Sequence, residues 1–136
     1  MFPAILKKEQ AVVNATKKQL LIIDDKIAIA RIITVYLSDE YEITYFDSPL
    51  KAMQWLFEGN RPNLIVLDIW MPGMSGDEFL SFIKQNGLYK DIPVLILSGE
   101  ESSDFRIKML EEGAADFILK PFNPQELKVR IRKVLQ

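Results

Sequence analysis

Five polar residues of this 136-residue chain stand at the ends of apolar stretches. Asp24 and Asp25 follow LLII, Asp68 follows LIVL, Ser98 follows VLIL, and Lys120 follows FIL. Each taken singly is ordinary, because acids, hydroxyls and lysines commonly end strands or cap helices. Taken together they supply what phosphoryl transfer needs: carboxylates for a cation, a carboxylate nucleophile, and a hydroxyl and an ammonium group for phosphate oxygens.

The charge of this set favours a divalent metal ion. Asp24, Asp25 and Asp68 outnumber the single positive charge of Lys120. Two like unit charges 4 Å apart repel by about 4 kcal/mol at an effective dielectric constant of 20, so a cation would stabilise the cluster. The chain has no His and no Cys, which leaves oxygen ligands and favours Mg²⁺ or Mn²⁺. We expect Asp24 and Asp25 to hold the cation and Asp68, alone on its strand, to be the nucleophile.

Five apolar runs of strand length alternate with stretches of helical periodicity, which is the pattern of an α/β fold. Unbroken runs such as LIVL and VLIL are typical of parallel strands covered on both faces. We predict a flavodoxin-like, doubly wound sheet of five parallel strands in the order 2-1-3-4-5, with helices on both faces. In such a sheet, ligands bind outside the carboxyl ends of the strands, so all five polar residues would meet in one pocket. The predicted strands are 20–24, 42–46, 63–68, 93–98 and 116–120.

Capping residues mark the starts of the predicted helices. Ser48 precedes a proline, Ser75 has a glutamate three residues on, and Asn123 is followed by Pro124 and then Glu126. These are N-cap and capping-box patterns. The predicted inner face of the first helix is Ile27, Ala30, Ile33 and Leu37.

The chain is predicted to divide into an extension, 1–18, and one α/β domain, 19–136. The extension reads either as a weakly amphipathic helix or as a disordered arm. The sequence has no secretory signal and no apolar run long enough to cross a bilayer. We therefore expect a soluble, cytoplasmic protein without a membrane partner. Its net charge of −2 gives no electrostatic reason for direct nucleic acid binding.

In order along the chain, the motifs IIDD, LDIWMPGMSG, ILS and FILKPF resemble the receiver domains of two-component response regulators, including the chemotaxis regulators. The resemblance covers 19–136. It implies that Asp24, Asp25 and Asp68 bind Mg²⁺ together with the backbone carbonyl of Trp70, and that Asp68 is phosphorylated. It further implies a phosphate-contacting lysine, a switch hydroxyl, a switch aromatic residue and a cis proline, namely Lys120, Ser98, Phe117 and Pro121.

The resemblance also implies a function. A histidine kinase or histidine phosphotransfer protein would donate a phosphoryl group to Asp68 in a phosphorelay. The chain would catalyse its own phosphorylation and dephosphorylation without being a conventional turnover enzyme. Phosphorylation would switch the surface of the fourth helix, fifth strand and fifth helix, which would bind a downstream protein or form a homodimer. Because the last predicted helix ends with the sequence, the chain is either a stand-alone receiver or part of a longer regulator.

Other functions fit the residues less well. The sequence lacks the G-x-x-x-x-G-K-[ST] motif of P-loop enzymes, and it has DDK where a haloacid-dehalogenase-like phosphatase has D-x-D. A flavin carrier would need a phosphate-binding loop after the first strand, where this chain has two acids. The alternative that stays open is a pseudo-receiver, a binding module that works without phosphorylation.

Overall fold

The computed structural model describes residues 17–136, which form a five-stranded parallel sheet with helices on both faces. The predicted extension, 1–18, lies outside the described residues except for its last two. The elements alternate along the chain as follows: β1 Lys18–Ile23, α1 Ile27–Leu37, β2 Tyr41–Phe46, α2 Pro49–Phe57, β3 Leu64–Leu67, α3 Gly76–Gln85, β4 Val94–Ser98, α4 Ser103–Glu111, β5 Asp116–Leu119 and α5 Pro124–Val134.

The strand order is β2-β1-β3-β4-β5, and every pair is parallel. The predicted α/β class and the order 2-1-3-4-5 are therefore confirmed. No helix among residues 17–136 is long and apolar enough to span a bilayer.

Alternate residues of the central strands build two separate hydrophobic cores, one on each face of the sheet. Leu21, Ile23 and Ile65 face α2, α3 and α4, where Phe79 is fully buried. Leu20, Ile22, Leu64 and Val66 face α1 and α5. All of these strand residues are at most 1% exposed, which explains why LIVL and VLIL show no alternation of apolar and polar residues.

The inner face of α1 differs from the prediction at one position. Ala30, Ile33 and Leu37 are buried, but Ile27 is 51% exposed. Ile27 is the first residue of the helix, so it lies at the carboxyl edge of the sheet rather than over it.

The predicted caps form at two of the three helices. The Ser48 side chain accepts a hydrogen bond from the Lys51 amide, and Asn123 accepts from the amides of Gln125 and Glu126. At α3 the Ser75 hydroxyl instead donates to the carboxylate of Glu78 at 3.0 Å, and the side chain of Ser75 makes no capping hydrogen bond to the backbone.

Candidate phosphoacceptor site

Three charged residues of the site lie one residue beyond the strands that position them. Asp24 follows β1, Asp68 follows β3 and Lys120 follows β5, whereas the predicted strands include all three residues. Hydrogen bonds between strands nevertheless continue through these positions. The Asp68 amide donates to the carbonyl of Ile23 at 2.9 Å, and the Lys120 amide donates to the carbonyl of Ser98 at 2.8 Å. The sheet thus fixes the backbones of the polar residues while leaving their side chains at its carboxyl edge.

Lys120 joins two buried carboxylates at this edge. Its Nζ is 2.8 Å from Oδ2 of Asp24 and 3.3 Å from Oδ1 of Asp68. The residues Asp24 and Asp68 are 1% and 4% exposed, so water screens their charges poorly. Three residues from distant parts of the sequence therefore form one charged cluster, as the motif positions predict.

Asp25 is exposed and lies beside the buried pair. One carboxylate oxygen from each of Asp24, Asp25 and Asp68 can be chosen so that all three lie within 4.8 Å of one another. The donor set is entirely carboxylate, which suits Mg²⁺ because this ion prefers oxygen ligands and keeps several of its own waters. These residues fit a hydrated divalent cation at the open side of the cluster.

The environment of Asp68 favours its neutral form. Burial raises the pKa of the Asp68 carboxyl group, and the negative charge of Asp24 raises it further. Lys120 acts in the opposite direction but does not cancel these effects. A cation at the cluster would favour the ionised carboxylate, which is the nucleophilic form.

Two backbone contacts hold the loop after β1 in place. The Lys26 amide donates to Oδ1 of Asp24 at 2.9 Å, and the Tyr45 hydroxyl donates to the carbonyl of Asp24 at 2.7 Å. Tyr45 was not predicted from the sequence, because a tyrosine in a strand is most often a packing residue. Tyr45 pairs with Ile22 in the parallel sheet, and this pairing places Tyr45 near the end of β1.

Gly76 is a second supporting residue of the site that was not predicted from the sequence. A Cβ atom at this position would lie 2.2 Å from the carbonyl oxygen of Asp68 and 2.7 Å from the Cα of Ile69. The glycine lets the start of α3 pack against the backbone that carries Asp68. The second glycine of PGMSG is the part of the motif that could have indicated this close approach.

Ser98 is fully buried at the end of β4. Its hydroxyl accepts a hydrogen bond from the Glu100 amide at 3.1 Å, so it is held by its own loop. Ser98 pairs with Leu119, the last residue of the adjacent strand β5. The residue after Leu119 is Lys120, whose peptide bond to Pro121 is cis. Ser98 therefore lies at the same edge of the sheet as the charged cluster.

The two predicted aromatic site residues lie in different environments. Trp70 is 60% exposed and stacks on Phe105 of α4, with ring centroids 6.1 Å apart and an angle of 18° between the rings. Phe117, on β5, is only 6% exposed. The ring of Phe117, the predicted switch aromatic residue, is therefore buried in this structure.

A parallel sheet with an acidic cluster and one lysine at its carboxyl edge defines a class of doubly wound proteins that bind ligands at that edge. The family model of the response regulator receiver domain matches residues 20–132, and the chain belongs to this family.

Curated relatives and a solved structure agree with this assignment. The chain is 40% identical over 105 residues to the two-component response regulator ORR6 of Oryza sativa subsp. japonica, an alignment that covers 76% of this chain and 60% of ORR6. It is 38% identical over 120 residues to ORR5 of the same plant, covering 86% of this chain and 88% of ORR5. The high-resolution structure of the chemotaxis response regulator CheY4 of Vibrio cholerae matches with a TM-score of 0.81 and 30% identity, covering 88% of this chain and all of that one.

Proposed function

We propose that this receiver domain accepts a phosphoryl group on Asp68 from a phosphohistidine, with Mg²⁺ bound by Asp24, Asp25, Asp68 and the Trp70 carbonyl. The observation that carries the proposal is the contact of the Lys120 ammonium group with the buried carboxylates of both Asp24 and Asp68. This contact places the carboxylate nucleophile beside a positive charge, which is the arrangement that phosphoryl transfer requires. Family membership supports a cytoplasmic histidine kinase or phosphotransfer protein as the donor.

The proposed reaction is a displacement at phosphorus. An oxygen of Asp68 forms a P–O bond while the P–N bond to the donor imidazole breaks, and the imidazole nitrogen keeps the electron pair. Lys120 is positioned to contact a phosphate oxygen, because its ammonium group already lies 3.3 Å from the nucleophile. A bound Mg²⁺ would neutralise further charge on the phosphoryl group. Water later attacks the acyl phosphate, which releases inorganic phosphate and restores the Asp68 carboxylate.

The proposed output surface consists of α4, β5 and α5. Phosphate on Asp68 would draw the Ser98 hydroxyl away from the Glu100 amide and hold Phe117 inward, which would repack this surface. Support comes from large apolar side chains that are exposed there, as expected of a surface that binds a downstream protein or a second copy of the chain. They are Ile107, Leu110, Leu119 and Val129, each at least 36% exposed.

Ion pairs at three of the four basic residues of α5 argue against a nucleic acid partner and so favour a protein partner. Arg130 pairs with Asp116 and Glu126, Arg132 pairs with Glu40, and Lys128 also pairs with Glu40. Neighbouring carboxylates thus offset the charges that a phosphate backbone would have to attract.

Intact-mass and peptide-mapping spectrometry with acetyl phosphate and Mg²⁺ test the proposal. We expect one added phosphoryl group on Asp68, no addition when EDTA is present before the phosphodonor, and no addition to Asp68→Asn. Asp91→Asn is the matched control, because Asp91 is exposed next to the start of β4, at the opposite edge of the sheet. An unmodified Asp68 in protein that binds Mg²⁺ would instead favour the pseudo-receiver, a binding module that works without phosphorylation.

A further inference from the structure

Three aromatic side chains form a continuous row from the loop after β3 to strand β5. Trp70 stacks on Phe105 with centroids 6.1 Å apart, and Phe105 meets the edge of Phe117 at 6.1 Å with an angle of 76° between the rings. Both distances and both orientations belong to the favourable range for aromatic pairs. We call Trp70, Phe105 and Phe117 the aromatic bridge.

The aromatic bridge connects the loop that follows the phosphoacceptor to strand β5 of the proposed output surface. Trp70 is two residues past Asp68 in the loop between β3 and α3, whereas Phe117 is a buried residue of β5. Phe105 lies in the first turn of α4, and its amide donates to the Ser102 side chain that caps the helix. This capping hydrogen bond restrains the backbone of Phe105, the central residue of the bridge.

The exposures of the two outer rings suggest how the bridge responds. Phe117 is 6% exposed, so its inward position is fixed by close packing. Trp70 is 60% exposed, so its orientation depends on few contacts, and the face of Phe105 provides one of them. A rotation of Phe117 away from Phe105 would leave a gap beside the central ring, and Phe105 would shift into it at the expense of its stacking on Trp70.

We infer that Phe105 is a positioning residue that couples the indole of Trp70, on the loop that follows the phosphoacceptor, to the inward position of Phe117. Its role in signalling rests on the proposed function, since phosphorylation of Asp68 is the event that would use the coupling. The coupling itself is a property of the packing and is present without a phosphoryl group.

A double-mutant cycle read at Trp70 tests the coupling. In the Trp55→Phe protein, Trp70 is the sole tryptophan, and its emission maximum and anisotropy report how its ring is held. Phe117→Leu should shift the emission to longer wavelength and lower the anisotropy when Phe105 is present. In the Phe105→Leu background, adding Phe117→Leu should change neither quantity, because the ring between them is gone.

The matched control is Phe82→Leu. Phe82 is also a half-buried ring, but it contacts Phe57, Phe79 and Tyr89 instead of the bridge. The substitution Phe82→Leu should leave the emission of Trp70 unchanged. Equal effects of Phe117→Leu with and without Phe105, or no effect in either background, would overturn the inference.

The reverse measurement avoids a buried substitution. Coupling between two sites is reciprocal, so Trp70→Leu should shift the backbone amide resonance of Phe117, and Phe105→Leu should abolish that shift. Trp70 is exposed, so this variant is expected to fold even if Phe117→Leu does not. An amide resonance of Phe117 that does not shift in Trp70→Leu would contradict the coupling. Neither measurement uses a phosphodonor, so both are independent of the mass-spectrometric test of Asp68.

Discussion

Asp24 and Asp68 share the ammonium group of Lys120, and the exposed Asp25 adds a third negative charge beside them. Like charges in a poorly hydrated site repel, and this cluster has more negative than positive charge. A bound Mg²⁺ would remove that excess, so metal binding and folding should be linked in this protein.

The first prediction concerns this linkage at Asp25. A ligand that binds only the native state stabilises it by about 2.7 kcal/mol when its concentration is 100 times Kd, and Mg²⁺ should therefore raise the melting temperature. Asp25→Ala should remove most of the gain, whereas Asp91→Ala should keep it. Thermal unfolding with and without Mg²⁺ measures the difference. An equal Mg²⁺ response in the parent protein and Asp25→Ala would exclude Asp25 as a ligand.

The second prediction concerns Trp70. Trp70 lies two residues past Asp68 on the loop that leaves β3, and a large apolar ring close to an acyl phosphate should limit the access of water and slow hydrolysis. Trp70→Asn should shorten the lifetime of phosphorylated Asp68 several-fold. Trp70→Phe should retain most of the lifetime, because a phenyl ring can still stack on Phe105. Intact-mass spectrometry after removal of the donor follows the decay, and equal lifetimes for Trp70→Asn and the parent protein would rule out shielding.

The sequence predicts the charged cluster because polar residues at the ends of apolar strands are conspicuous. Asp24, Asp68 and Lys120 come together in the structure for that reason. The supporting residues Tyr45 and Phe105 could not be predicted in the same way. Aromatic residues are common in strands and helices, and nothing in their spacing says which neighbours they meet.

At the scale of elements, α3 begins against the backbone that carries the phosphoacceptor. The Gly76 amide donates to the carbonyl of Ile69 at 2.9 Å, and no side chain fits between this helix turn and Asp68. The position of α3 therefore fixes the loop that leaves β3.

The third prediction is that Gly76→Ala destabilises the fold. The new methyl group would meet the Asp68 carbonyl oxygen at 2.2 Å, and such overpacking typically costs about 1–3 kcal/mol or more. Gly87→Ala is the matched control, since a Cβ there has no neighbour within 4 Å, and its effect should stay within about 0.5 kcal/mol. Urea unfolding measures both variants, and similar stabilities would show that α3 can shift without cost.

The order of the strands was predictable from the sequence. The exact residue at which each strand ends was not. The apolar runs identify all five strands, and alternating strands and helices leave few arrangements for a parallel sheet. The predicted strands extend one residue too far at Asp24, Asp68 and Lys120. These residues continue the hydrogen bonding between strands while their side chains already belong to the site, so the sequence shows no break there.

At the scale of the whole molecule, ion pairs between residues far apart in sequence connect α1 to α5. Glu40, at the turn after α1, accepts hydrogen bonds from Arg132 and lies 3.2 Å from Nζ of Lys128. These ion pairs were not predictable from the sequence, because Glu40 and Arg132 are 92 residues apart. Only the packing of α1 beside α5 brings them together.

The fourth prediction is a pH dependence from Glu40. The hydrogen bond from Arg132, helped by Lys128, lowers the pKa of Glu40 from 4.5 to about 2. The ionised form therefore stabilises the fold fully above about pH 4.5, and this contribution is lost as the pH falls towards 2. Glu40→Gln should cost about 0.5–1 kcal/mol at pH 7, and its difference from the parent protein should shrink on acidification.

Urea unfolding across this pH range measures the effect. Glu111→Gln is the control, because Glu111 is an exposed glutamate for which no ion pair is found within residues 17–136. A cost of Glu40→Gln that stays constant between pH 5 and pH 2 would contradict the assignment.

The central claim is that a phosphoryl group at Asp68 changes a surface on other elements. Backbone amide chemical shifts, recorded with Mg²⁺ before and after addition of beryllofluoride as a phosphoryl mimic, test it most directly. We predict shifts at the residues around Asp68 and also across 103–135, which contains α4, β5 and α5, with neither set appearing in Asp68→Asn. Shifts confined to the neighbourhood of Asp68, with 103–135 unchanged, would contradict the account.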